Sequence, residues 1–326
     1  MLGVTTAAPD VHVYRVGLRT RFRGLTARDG VLVRGDAGWG EFSPFWDYDV
    51  DESRAWWRAA REAADEGWPA PVRDRVPVNV TVPAVDGATA RAIVERSGGC
   101  RTAKVKVAEP GQTVDDEVER LEAVRDALGP GGRIRVDANG AWDVDEAVTR
   151  LAVLDRAAGG LEYAEQPCRT VEELARVRRR TPVPVAADES VRRAEDPLAV
   201  VRAEAADVVV LKVQPLGGVR ACLRLAEQVG LPVVVSSALE SSVGLAAGVA
   251  LAAALPDLPY AAGLATAQLL SADVVPDPLL PVDGALPVRR PQPDAAHLAA
   301  TAADDGLARR WHERVRAVTA ARAAGA

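Results

Sequence analysis

From Val76 onward, short valine-rich runs alternate with amphipathic stretches, and this alternation restricts the fold of the chain more than anything else in it. The runs are V-P-V-N-V-T-V (76–82), T-A-K-V-K-V (102–107), R-I-R-V-D-A-N (133–139), L-E-Y-A-E-Q-P (161–167), V-P-V-A-A-D-E-S (183–190), D-V-V-V-L-K-V (207–213) and L-P-V-V-V-S-S (231–237). A weaker eighth, Y-A-A-G-L-A-T, covers 260–266. Between them, stretches such as 114–128 and 145–154 carry apolar residues at helical spacing. Strands joined through helices run parallel, because a parallel pair needs a long crossover. Eight such units predict a closed (β/α) barrel over 76–266.

The flanks follow a different grammar. Residues 1–75 hold β-rich runs at 11–18 and 30–34 around R-T-R-F-R-G-L-T, which reads as a mobile loop, then a helical pattern over 51–68 with Trp56, Trp57 and Ala60 apolar. That predicts a small α+β unit. Residues 267–326 form a tail, Pro-rich and extended over 276–293 and helical over 306–322, expected to pack on the N-terminal unit. At 326 residues the chain has length enough for both parts. Its net charge of -6 argues against nucleic acid as a partner, and Arg178 to Arg180 reads as a solvated helix end. Cys100, Cys168 and Cys222 are odd in number with no C-x-x-C pair, which suits reduced thiols in the cytoplasm. The start lacks the basic and apolar regions of a signal peptide, and the longest apolar stretch, 243–255, is short of a membrane span. These readings predict a soluble cytoplasmic protein with no membrane partner; oligomeric state stays open.

Lysine is scarce. The chain has only Lys104, Lys106 and Lys212, and its other basic positions, His aside, are arginine. Either residue serves on a solvated surface, but only lysine's amine loses its proton readily enough to act as a base. Lys104 and Lys106 share one face of their strand, with Val105 and Val107 on the other. Asp137, Glu165, Asp188 and Lys212 take the matching position near the ends of the next four strands. Catalytic groups of a barrel sit at those C-terminal ends. Three carboxylates converging there repel one another unless a cation joins them, and an all-oxygen set suits Mg²⁺. A carboxylate substrate bound beside that cation has an acidified α-proton. An unperturbed lysine has a pKa of about 10.4, and a unit positive charge about 5 Å away contributes about 3 kcal/mol at an effective dielectric of about 20, enough to make it a competent base. One strand carboxylate alone is more often structural; five charges at matching strand ends are a constellation.

The ordered motifs K-V-K (104–106), D-A-N-G-A-W (137–142), E-Q-P (165–167), D-E-S (188–190), L-K-V-Q-P-L-G-G (211–218) and S-S-A-L-E-S-S-V-G (236–244) resemble the enolase superfamily, and within it the o-succinylbenzoate synthases. The resemblance runs over the whole chain. It implies an α/β fold, a modified (β/α)₇β TIM-type barrel with an α+β capping domain. It further implies a hydro-lyase of menaquinone biosynthesis that dehydrates a succinyl-hydroxycyclohexadiene carboxylate. Asp137, Glu165 and Asp188 would hold Mg²⁺, with Mn²⁺ an alternative. Lys106 would be the acid/base lysine, Lys212 would face it and Lys104 would support the substrate carboxylate; the opposite assignment of base and acid stays open. By position, Arg135, Asn139, Ser236, Ser237 and Gly263 would line the pocket, and the 19–25 loop would close over it.

Other readings are separable. His12, His297 and His312 lie outside the barrel strands, against a histidine-dependent branch, and the last strand region A-G-L-A-T-A-Q lacks the acids of a dipeptide epimerase. An N-succinylamino-acid racemase is the nearest rival, since two lysines can exchange an α-proton from both faces. A Schiff-base aldolase would leave three carboxylates without a use. A non-catalytic barrel would predict broken site residues, and all five are intact.

Overall fold

The computed structural model describes residues 11–194 and 196–323, so the N-terminal stretch read for a signal peptide lies outside the described residues. Three antiparallel strands open it, β1 (Val11–Phe22), β2 (Leu25–Gly35) and β3 (Gly38–Phe42), paired in that order. The loop expected over 19–25 is corrected here: β1 and β2 run on until Phe22 pairs with Leu25. Arg23 and Gly24 both take positive φ, 52° and 75°, and two left-handed residues in a two-residue turn match the twist of a hairpin. The helix Val50–Arg61 starts on a reciprocal cap between Asp49 and Glu52. It buries Trp56 and Trp57 against this sheet, with Phe42 edge-on to Trp57. The terminal helix Asp305–Ala323 sends Leu307, Trp311, Val315 and Val318 into the same cluster, so the tail docks on the cap.

The valine run at 76–82 divides in two. β4 (Arg75–Pro77) pairs antiparallel with β12 (Ala285–Pro287) from the Pro-rich tail, and only β5 (Val80–Val82) enters the main sheet. That sheet continues in parallel through β6 (Thr102–Lys106), β7 (Arg133–Asp137), β8 (Leu161–Glu165), β9 (Val185–Ala187), β10 (Val208–Lys212) and β11 (Val233–Ser236). Helices cover its outer face, so both faces are buried and the strands read as unbroken valine rather than as alternation. Val114–Leu128 and Val144–Ala158 are two of these crossovers.

The eighth strand shrinks to two residues. Ala262 exchanges backbone bonds with Pro77 and Asn79 at 2.8 and 2.9 Å, and Gly263 with Val235 and Ser237 at 2.8 and 3.1 Å. Among the described residues these backbone bonds close the ring, and the segment stays this short because its alanines and glycine lack the β-branching that favours strands. Gly263 packs closely there: a Cβ would stand 2.6 Å from Ser236 Oγ and would displace that hydroxyl. The helix Ser242–Ala254, which spans most of the longest apolar stretch, is buried on every side. No helix of the described residues is long and apolar enough to cross a membrane. All three cysteines are free and buried.

Candidate active site

Strand register assembles the site. Lys106 lies beside Asp137 across β6 and β7, Asp137 beside Glu165 across β7 and β8, and Lys212 beside Ser236 across β10 and β11. Asp188 is the first residue beyond β9. Lys104 donates to Glu165 Oε1 at 2.7 Å and stands 3.0 Å from Asp137 Oδ2. Lys106 donates to Asp137 Oδ2 and to Asn139 Oδ1, both at 2.6 Å. Lys212 meets Asp188 Oδ2 at 2.6 Å, and Arg192 holds the other oxygen of Asp188 at 2.9 Å.

Burial opposes each of these charges, and the neighbouring groups decide the outcome. Although burial opposes ionisation, Lys104 and Lys106 hold Asp137 well below the usual carboxylate range, and Arg192 and Lys212 hold Asp188 below it too. Burial also works against Lys104, but Asp137 and Glu165 outweigh it and keep its ammonium above the ordinary lysine value. Lys212 goes the other way, since burial outweighs Asp188 and lowers it. Glu165 is the under-compensated member: burial and the neighbouring Asp137 and Asp188 push it up to about 7 despite Lys104. Its Oε2 is buried with no hydrogen-bond partner.

Among the described residues no three His, Cys, Asp or Glu side chains are gathered closely enough around one point to hold an ion, because the ammonium groups lie between the carboxylates. The donor chemistry nevertheless fits a hard divalent cation. Three buried carboxylates repel one another, and one of them offers a free oxygen.

Lys104, Lys106, Asp137, Asn139, Lys212, Ser236, Ser237 and Gly263 line one cavity. Glu165 and Asp188 stand behind the lysines. Phe22, Arg23 and Phe45 of the cap roof it. The space left is about 30 Å³, room for one or two waters, so a ring-sized ligand is admitted only when the roof or the lysines move.

Arg135 is a correction. It does not line the cavity; it donates to Glu162 at 2.5 Å, to Asn79 at 3.0 Å and to the Ala261 carbonyl at 2.7 Å. Arg135 shares the parity of Asp137 but sits two residues, about 6.6 Å, deeper in the barrel. Lys104 sits at that depth as well, yet its straight ammonium reaches upward to Asp137 and Glu165. Arg192 escaped notice in the sequence, although its place four residues after Asp188 on a short helix is the spacing of an ion pair. Of the roof residues, Phe22 and Arg23 lie in the 19–25 segment expected over the pocket, and Phe45 carries no local signal.

The wall beyond Ser237 brings a pH prediction. Glu240 accepts from Ala238 N at 2.7 Å, and burial, with Glu41 beside it, pushes its carboxyl up to about 7. The folded state therefore keeps a proton that the unfolded chain releases near pH 4.5. Its stabilisation is complete below pH 4.5 and is lost as pH rises to about 7, by about 3 kcal/mol. Glu240→Gln keeps the acceptor and removes the titration. Melting curves of the two proteins from pH 4.5 to 8 should diverge in favour of Glu240→Gln, and parallel curves would show that Glu240 does not titrate in this window.

Residues 87–295 match the family described as Enolase C-terminal domain-like, and residues 13–64 match Enolase N-terminal domain-like. The o-succinylbenzoate synthase of Thermobifida fusca is 66% identical over 308 residues, covering 94% of this chain and 95% of that protein. The o-succinylbenzoate synthase of Mycolicibacterium smegmatis is 54% identical over 305 residues, covering 94% of each. Among solved structures, muconate lactonizing enzyme from Pseudomonas fluorescens complexed with muconolactone superposes with a TM-score of 0.77 at 22% identity, covering 90% of this chain and 99% of that one. The L-Ala-D/L-Glu epimerase from Bacillus subtilis gives 0.73 at 21% identity, covering 88% and 96%. At such identities these two speak for the fold alone.

Proposed function

We propose, from the premise that the chain belongs to the enolase superfamily and within it to the o-succinylbenzoate synthases, that it dehydrates 2-succinyl-6-hydroxy-2,4-cyclohexadiene-1-carboxylate to o-succinylbenzoate and water. It is a hydro-lyase of menaquinone biosynthesis acting on a small carboxylate. The observation that carries the reading is the set of Lys106, Asp137, Glu165, Asp188 and Lys212 at successive strand ends, with Lys106, Asp137 and Lys212 lining one cavity and Glu165 and Asp188 paired to its lysines.

In this reading Asp137, Glu165 and Asp188 hold the divalent cation that the superfamily typically uses, Mg²⁺ with Mn²⁺ as the alternative. When bound, it supplies the positive charge that stabilises an enediolate. Lys106 takes the proton from the ring carbon that bears the carboxylate. Asp137 and Asn139 orient its amine, each 2.6 Å away. The electron pair left behind expels the hydroxyl from the adjacent carbon, Lys106 returns the proton to it, and the products are the aromatic ring and water. Lys212, paired to Asp188, stabilises the developing negative charge electrostatically. Lys104 supports the substrate carboxylate, and Asn139, Ser236, Ser237 and Gly263 bound the substrate.

A second reading is favoured by one observation, that Lys106 and Lys212 line the same cavity. Two such lysines can racemise an N-succinylamino acid. Purified protein with Mg²⁺ is expected to convert the cyclohexadiene carboxylate to the aromatic acid, followed by ultraviolet absorbance. Racemisation of N-succinylamino acids without any dehydration would transfer the function to the second reading, and activity on neither would reject both.

A further inference from the structure

Arg28, on β2 of the capping sheet, is buried to 3% exposure beside the catalytic cavity. Its guanidinium donates to the carbonyl of Leu239 at 3.1 Å and of Ala238 at 3.4 Å, both on the barrel. It also donates to Asp29 O at 3.0 Å and to Ser43 O on the cap, and its flat face lies 4.4 Å from the centre of the Phe45 ring. Ala238, Leu239 and Phe45 all line the cavity. One side chain therefore spans the barrel wall and the cap roof of the site.

What it holds is strained. Leu239 has a φ of 63°, a left-handed conformation that a branched residue persists in only where its surroundings impose it. Glu41 completes the grip from the next strand. Its carboxylate accepts from Ser241 N and Gly244 N, both at 3.1 Å, and from the Ser241 hydroxyl, at the start of the helix Ser242–Ala254, while Tyr14 and Ser43 fix it from the cap at 2.8 and 2.7 Å. Taking a cation out of water to meet carbonyls is costly, and a planar fork that reaches two elements at once is what arginine offers in return.

We propose that Arg28, backed by Glu41, is a positioning residue for the reaction: it ties the left-handed turn at Leu239 to Phe45, so that this corner of the pocket keeps one geometry when the lysines or the Phe22 and Arg23 side of the roof move to admit a ligand. The expected effect on turnover rests on the dehydration proposed above; the effect on the wall does not.

The test compares wild type with Arg28→Met, which keeps the bulk, and Arg28→Lys, which keeps the charge without the fork. Two quantities are read, amide hydrogen exchange of the 236–241 peptide and the separate kcat and KM for the cyclohexadiene carboxylate. Both variants are expected to exchange that peptide at least about 10-fold faster, with peptides of β6 to β8 unchanged, and to lose about 10- to 100-fold in kcat with KM moving less than about 3-fold. Glu41→Gln keeps one acceptor oxygen and sets an amide NH₂ against the donors that faced the other, so it is expected to speed exchange of the same 236–241 peptide. Wild-type exchange at 236–241 overturns the proposal, and so does faster exchange spread evenly over the barrel with kcat per folded molecule unchanged. Should Arg28→Met fail to fold, Arg28→Lys decides by the same readings. Should wild type show no dehydration, the functional reading fails, and the exchange comparison still decides whether Arg28 sets the wall.

Discussion

Lys106→Arg is expected to lower turnover by about 10³- to 10⁴-fold while the protein stays folded. The substitution keeps a positive charge beside Asp137 Oδ2 and Asn139 Oδ1, the two partners of Lys106, so the local ion pairing survives. What it removes is the proton transfer, because a guanidinium does not deprotonate in proteins. An unchanged melting temperature with turnover lost would place the effect on the chemical step. The companion variant Lys212→Arg separates the two lysines. If Lys106 is the base, solvent deuterium enters the α-position in Lys212→Arg and not in Lys106→Arg. The reverse pattern would move the base role to Lys212, whose amine burial already lowers.

The sequence revealed strand ends better than depths, and single units better than contacts between them. The barrel strands stood out because both their faces are buried, which writes each as an unbroken valine run. The alignment of Lys106, Asp137 and Glu165 followed from parity within each strand and one strand–helix unit between them, and the register pairs these residues. Parity says nothing of depth, which is why Arg135 was expected at the mouth and lies below it on Glu162 and Asn79. The hairpin at Arg23 and Gly24 was hidden because its strands are partly exposed there and carry arginine and threonine instead of an apolar alternation. Arg28 and Leu239 meet across 211 residues of sequence, and no local pattern marks such a pair. Part of the site assignment also rested on ordered motifs whose meaning comes from resemblance, not from spacing.

Stripping divalent cations with a chelator is expected to abolish turnover, by more than about 10³-fold, yet to leave the barrel folded. The two halves of that result have different causes. Turnover fails because the positive charge that stabilises the enediolate is gone. The fold survives because Lys104 bridges Asp137 and Glu165, Lys106 pairs with Asp137, and Lys212 and Arg192 neutralise Asp188, so the carboxylates are compensated by the chain itself. Glu165, pushed up to about 7, also has a proton available to relieve what compensation remains incomplete. A cation present at about 100 times its dissociation constant adds about 2.7 kcal/mol to the folded state, so chelation should lower the melting temperature by several degrees and no more. This distinguishes the site from a structural zinc centre, whose loss unfolds the domain. Chelation is also the cleaner experiment than Asp188→Asn, which would strand Lys212 and Arg192 as buried charges and cost about 3 to 5 kcal/mol through stability alone. Added Mg²⁺ should restore turnover to the wild type but not to Glu165→Gln. Full activity in the chelated protein would remove the cation from the mechanism, and global unfolding on chelation would show that the lysine network does not compensate the carboxylates.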